Sequence, residues 1–143
     1  MSRKPASPRR QYAALPWRKA EGGGIEVLLI TSRETRRWVV PKGWPIAGLE
    51  PGPSAAQEAM EEAGIVGEVW GEPVGEFGYD KRLKDGRLQP VQVEVFPLLV
   101  EKELADWPEK GQREKRWFPA AKAAELVHEP QLAALIEDFA GRA

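Results

Sequence analysis

Residues 43–65 read GWPIAGLEPGPSAAQEAMEEAGI, a Gly- and Pro-rich approach that runs into a short stretch carrying three glutamates. Glu61 and Glu62 stand three and four positions after Glu58, so on a helix they fall on its side of the wheel. On a plain surface helix such like-charge pairs cost about 0.2–0.5 kcal/mol each. The flanking residues predict a helix over 55–63. Ser54 and Gln57 form a Ser-x-x-Gln capping box, with Ser54 as N-cap. Pro51 and Pro53 lie upstream, where they interrupt no hydrogen bond, and Gly64 is a natural stop. At 3.6 residues per turn, Ala56, Ala59, Met60 and Ala63 form a stripe of small side chains opposite the glutamates. That stripe lets the helix approach a sheet closely and turns the carboxylates together toward a cleft or solvent. Three carboxylates are hard oxygen donors of the kind magnesium and manganese prefer, and a divalent cation would convert their repulsion into attraction. A solvated acidic face is the other reading of the same residues.

The rest of the chain supplies a frame for this helix. Residues 12–17 and 25–31 read as strands separated by a turn at Gly22-Gly23-Gly24. Residues 37–40 form a third short strand, and residues 41–53 a loop. Beyond the helix, 66–79 is strand-like with glycine interruptions. Lys84-Asp85-Gly86-Arg87 carries the Asp-Gly mark of a tight hairpin. Residues 89–100 alternate Val91, Val93, Val95 against Gln92 and Glu94, and pair back across that hairpin. Residues 120–127 and 130–139 are helices. Strands on both sides of an internal helix predict the α/β (α+β) class, a mixed sheet covered by helices. Residues 1–10, with four basic side chains among prolines and serines, read as a flexible arm ahead of one domain over 11–143.

Composition excludes several classes. The 143 residues are 42% hydrophobic and 30% charged, an ordinary globular balance. A formal net charge of −1 gives no bias toward nucleic acid or an anionic membrane. The chain has no cysteine, which removes disulfides, zinc thiolate sites and a cysteine nucleophile, and fits a cytoplasmic protein. With one histidine, His128, no Ser/His/Asp arrangement is credible. Cations cluster twice, as Arg33, Arg36, Arg37 and Lys42 and as Lys81, Arg82, Lys84 and Arg87, the side chains a polyanion needs.

Taken with Trp38-Val39-Val40-Pro41-Lys42-Gly43 ahead of it, the glutamate stretch resembles the box of the Nudix hydrolases. That box runs Gly, five residues, Glu, seven residues, then Arg-Glu-apolar-x-Glu-Glu-x-Gly-apolar. Gly43, Glu58, Ala59, Glu61, Glu62, Gly64 and Ile65 fall at its spacing, while Leu49 replaces its first Glu and Gln57 its Arg. The stretches Thr31-Ser32-Arg33 and Arg116-Trp117-Phe118 are similar to the diphosphoinositol polyphosphate phosphohydrolase branch. The resemblance implies a mixed sheet between helices and a metal-dependent hydrolase of phosphoanhydride bonds. Its substrate would be a nucleoside diphosphate linked to a moiety X, with diphosphoinositol and diadenosine polyphosphates as examples. It implies Mg2+, or Mn2+, held by Glu58, Glu61, Glu62 and the backbone at Gly43. It leaves the general base open between Glu61 and Glu58; the polyanionic substrate it implies needs cations, and Arg33, Arg37, Lys42, Lys81 and Arg82 are the candidates from the two clusters. An RNA 5′-pyrophosphohydrolase and a degenerate nucleotide-binding module are the alternatives; a monomer and a homodimer are both compatible. In the family the missing Glu and Arg pair as a brace, so Leu49 is expected to replace that brace by packing and Gln57 to serve the cap.

Overall fold

The computed structural model describes residues 8–143. Its strands are β1 (Arg9–Lys19), β2 (Ile25–Thr31), β3 (Trp38–Val39), β4 (Lys42–Gly43), β5 (Ile65–Val69), β6 (Gly75–Arg82), β7 (Leu88–Glu103) and β8 (Lys115–Pro119). The helices are α1 (Pro51–Ala63), α2 (Ala120–Leu126) and α3 (Pro130–Arg142). All the strands join one mixed sheet with a central order β3-β2-β1-β7-β5; β4 adds to β1, β6 to β7 and β8 to β2. β1 and β7 run parallel, in register from Arg9 opposite Val91 to Trp17 opposite Leu99. Every other pairing is antiparallel.

Both faces of this sheet are covered, and the sequence shows why. β2 is apolar without alternation, the pattern of a strand buried on both sides. Val27 and Leu29 face one core with Val93, Phe77 and the α2–α3 residues Ala123, Leu132, Ile136 and Phe139. Leu28 and Ile30 face the other, with Ala14, Phe96, Leu98 and the α1 residues Ala55, Ala59 and Ala63. Thus α1 lies alone on one face and α2 and α3 on the other, as the α+β expectation required. No helix among the described residues is long and apolar enough to cross a membrane.

Several local expectations need correction. α1 begins at Pro51, with Glu50 as N-cap and no side-chain cap. Proline is suited to the first helical turn, where its missing N–H has no partner in any case. Ser54 is therefore inside the helix, its N–H bonded to the Glu50 carbonyl. It is fully buried, and its Oγ accepts the Ile46 N–H at 3.2 Å, which ties the preceding loop to the helix. The buried stripe is Gly52, Ala55, Ala59 and Ala63; Ala56 and Met60 are only partly buried. The span 41–53 holds β4 as well as loop. Residues 66–79 are two strands broken at 70–74, and β8 lacks any alternating pattern that would have marked it. Of the expected arm, residues 1–7 lie outside the described residues, whereas Arg9 and Arg10 open β1.

Gly64 ends α1 with φ of +66°, and its N–H bonds the Met60 carbonyl. A Cβ there would also run into the Trp107 ring. Gly23, at φ +99°, has open space around it. Gly64→Ala is therefore expected to cost clearly more than the roughly 1–2 kcal/mol of left-handed strain expected for Gly23→Ala. Urea unfolding of the two variants checks this, and equal losses would contradict the Trp107 contact.

Candidate active site

β1 positions the approach to α1. Tyr12 and Ala13 pair with Gly43 and Lys42, and the Ala14 N–H bonds the Pro41 carbonyl at 3.0 Å. This lays β4 across the glutamate face. Lys42 N–H donates to Glu62 Oε1 at 3.2 Å. At Gly43 an added Cβ would overlap the Glu58 carboxylate, so the glycine is required by close approach and not by a turn.

The C-terminal end of α1 is held by the segment between β7 and β8 and by the first residue of β8. Leu104 N–H bonds the Gly64 carbonyl at 2.7 Å and Glu109 N–H the Glu61 carbonyl at 3.0 Å. Lys115 Nζ donates to the Ala63 carbonyl at 2.8 Å. These are carbonyls that a helix end leaves without intrahelical partners. The same segment carries Arg113, whose guanidinium reaches Glu62 Oε2 at 3.4 Å. Sequence reading missed Arg113 and Glu109. Their i, i+4 spacing is a helical signal, but they sit in a Gly- and Pro-containing connection that offered no reason to place them near α1.

The three glutamates are not equivalent. Glu62 is largely buried, with a partner on each oxygen. Glu61 accepts a hydrogen bond from Gln57 at 3.2 Å. Glu58 is half-buried and accepts no hydrogen bond among the described residues. Burial, followed by Glu62 and then Glu61, pushes its carboxyl from an ordinary 4.5 up to about 7. Burial raises Glu62 as well, against the pull of Arg113 and Lys42. Burial also lowers the Lys42 ammonium, which lies 5.0 Å from the Tyr79 ring centre, while Glu62 opposes that shift.

Beside Glu62 opens a cleft of about 450 Å³. Arg33, Arg37, Lys42, Lys81 and Arg82 all line it, together with Arg113, Tyr79, Glu129 and Leu132. They arrive from the β2–β3 loop, β4 and the β6 end of the hairpin, so segments distant in sequence converge on one space. Arg36, Lys84 and Arg87 do not line it; Arg87 is paired with Asp85 at 2.6 Å. Glu58, Glu61 and Gly43 lie beside the cleft lining and not within it. Glu94, at 3.1 Å from Arg10, is likewise outside. Trp44 and Trp117 are covered by the guanidinium groups of Arg9 and Arg18, at 4.1 and 3.9 Å from their ring centres. Neither lines the cleft. Trp70 is 42% exposed, its ring edge-on to Trp17 and Phe139.

The box substitutions also resolve. Leu49 is 43% exposed, so it does not replace a brace by packing. Gln57 lies in the middle of α1, bonded to Glu61 and not to the cap. The donor chemistry nevertheless suits a divalent cation, with carboxylate oxygens on one face of α1: burial raises the Glu58 and Glu62 carboxyls, and at Glu58 repulsion from Glu62 and Glu61 adds to it. As they stand, no three acidic or histidine side chains converge on one point among the described residues. Glu61 is turned to Gln57, so cation binding requires that carboxylate to readjust, while Glu62 is flanked by Arg113.

A native carboxyl with a raised pKa retains a proton that the unfolded chain has released. Stability in chelated buffer is therefore expected to fall as pH rises from about 4.5 to about 7, with Glu58 contributing to the slope. Glu58→Gln is expected to flatten it and to gain on the order of 1 kcal/mol at about pH 8, after discounting for solvent screening of a half-exposed group. Urea unfolding across this range measures the slope; an unchanged slope in the variant contradicts the assignment.

The chain is similar to known proteins in sequence and in fold. No family model matches the chain. It is 33% identical over 146 residues to Nudix hydrolase 21, chloroplastic, of Arabidopsis thaliana, covering 96% of this chain and 69% of the relative. It is 34% identical over 110 residues to diphosphoinositol polyphosphate phosphohydrolase 3-beta of Bos taurus, covering 73% of this chain and 63% of the relative. The fold matches a C. elegans Ap4A hydrolase in a binary complex with a TM-score of 0.67 at 20% identity, over 93% of this chain and 96% of that one. The chain is an enzyme of the Nudix hydrolase family.

Proposed function

We propose that the chain hydrolyses a phosphoanhydride bond in a phosphate-dense small molecule, a nucleoside diphosphate linked to X or a diphosphoinositol polyphosphate. The observation that carries this is the convergence of Arg33, Arg37, Lys42, Lys81 and Arg82 on a single cleft beside Glu62. Arginine suits bidentate phosphate contact and lysine supplies a point charge. Lys81 makes no hydrogen bond or ion pair among the described residues and is the freest of the five. No tryptophan lines the cleft. The Tyr79 ring carries the Lys42 ammonium over its face, 5.0 Å from its centre. Recognition therefore rests on phosphates more than on base stacking. The diphosphoinositol branch resemblance and the name of the Bos taurus relative point the same way.

Glu58, Glu61, Glu62 and the Gly43 backbone are the proposed holders of Mg2+ or Mn2+. A bound divalent cation supplies charge neutralisation at phosphate oxygens and Lewis acidity. The chain's own residues do the rest: the cations orient the polyphosphate, and Glu58 or Glu61 takes the proton of the attacking water. A carboxyl near pH 7 without a hydrogen-bond donor suits Glu58 to that role. The cytoplasmic placement, one domain over 11–143 and a monomer or homodimer complete the proposal.

Phosphate release over a panel of diphosphoinositol, diadenosine and nucleoside polyphosphates, with and without Mg2+, tests the reading. Glu61→Gln and Glu62→Gln are expected to lower kcat by about 100-fold or more, and Lys81→Ala to raise KM by about 10-fold with little change in kcat. Binding of metal and nucleotide without turnover of any member of the panel would make the chain a binding module instead.

A further inference from the structure

Arg113 stands outside residues 43–65 yet reaches the glutamate face. Its side chain is 10% exposed and that of Glu62 12%. Nε and one Nη donate to Glu109 Oε1 at 3.2 and 3.1 Å, and the other Nη to the Thr31 carbonyl at 3.2 Å. The Nη that reaches Glu109 also points at Glu62 Oε2, at 3.4 Å. The backbone around it is anchored too. Glu114 N–H bonds Thr31 Oγ1 and the Glu114 carbonyl accepts the Thr31 N–H, each at 3.0 Å. Glu109 N–H holds the Glu61 carbonyl at 3.0 Å.

A guanidinium tied to a carboxylate and to the end of β2 keeps its place whether or not Glu62 touches it. It is a fixed post beside Glu62, not a mobile counterion. Glu62 is gripped between that post and the Lys42 amide, which confines its carboxylate to one orientation. Within the box nothing does this, since Leu49 is exposed and Gln57 is turned to Glu61.

We propose that Arg113, held by Glu109, is the positioning residue that aligns the Glu62 carboxylate for a divalent cation, a brace supplied from the β7–β8 segment in place of one from the box. This rests on the reading of the α1 glutamates as a cation site. Arg113 and Glu109 touch neither substrate nor reacting atoms and act through Glu62. If Arg113 instead competed with the cation for Glu62, its removal would tighten cation binding, the opposite sign.

Mn2+ titration followed by the electron paramagnetic resonance of the free ion separates the two, since it reads binding and not turnover. Glu62→Gln and Arg113→Met are each expected to weaken Mn2+ binding by about 10-fold or more, the usual effect of losing a ligand or its support. Arg113→Lys keeps the charge without the fork and is expected to lose about 3-fold, and Glu109→Gln a similar amount. In a Glu62→Gln background, Arg113→Met is expected to add less than about 2-fold, because its effect passes through Glu62. Lys122→Met, on the exposed side of α2 and paired with Glu125 at 3.6 Å, is the charge-removal control and should change nothing. Should Arg113→Met fail to fold, Arg113→Lys and Glu109→Gln carry the same sign test. Unchanged or tighter binding in the folded Arg113 variants, with Glu62→Gln weakened, would overturn the brace. Unchanged binding in Glu62→Gln would overturn the cation site itself.

Discussion

The close approach of α1 to the sheet is the constraint on which the site depends. Gly52, Ala55, Ala59 and Ala63 turn almost no side chain toward Ala14, Leu28, Ile30, Phe96 and Leu98, so the helix backbone lies against the strands. Because that face is fixed, Glu58 and Glu62 are forced toward β4 and the cleft. A larger side chain at Ala55 or Ala59 would overpack this contact, at about 1–3 kcal/mol, and would lift the glutamates away from Gly43 and Lys42. Packing on one side of the helix thereby sets the chemistry on the other.

Electrostatics is the second condition. Glu61 and Glu62 sit near the C-terminal end of α1, where the helix dipole disfavours negative charge. The segment between β7 and β8, with Lys115 at the start of β8, offsets this with donors to the carbonyls of Glu61, Ala63 and Gly64 and with the Arg113 guanidinium. What remains unbalanced is Glu58, whose carboxyl is pushed up to about 7. A site that holds its like charges in this way is ready for a cation, since one ion relieves repulsion that the protein alone leaves in place.

Much of this was legible in residues 43–65, because a helix imposes its period on the sequence. The shared face of Glu58, Glu61 and Glu62 and the stop at Gly64 followed from spacing alone, and β2 was legible as a strand. The helix start was misread because Ser54 satisfies the capping pattern locally, while Pro51 at the first turn and the buried bond to Ile46 place it inside the helix. Leu49 was misread because exposure is a property of the folded loop, not of residue type. Arg113 and Glu109 were invisible because only the β2–β8 pairing brings that connection to α1, and no local pattern records a long-range strand pairing. The cation clusters were legible as clusters, but their division into cleft-lining and solvent-facing members required the three-dimensional path of the hairpin.

The central claim is that the glutamate face of α1 is a cation site. Anomalous diffraction from crystals soaked in Mn2+ tests it most directly. The account predicts a peak bounded by the Glu58, Glu61 and Glu62 carboxylates and the Gly43 carbonyl, with Glu62 still flanked by Arg113. A Mn2+ peak elsewhere, or none on this face at saturating ion, would contradict it.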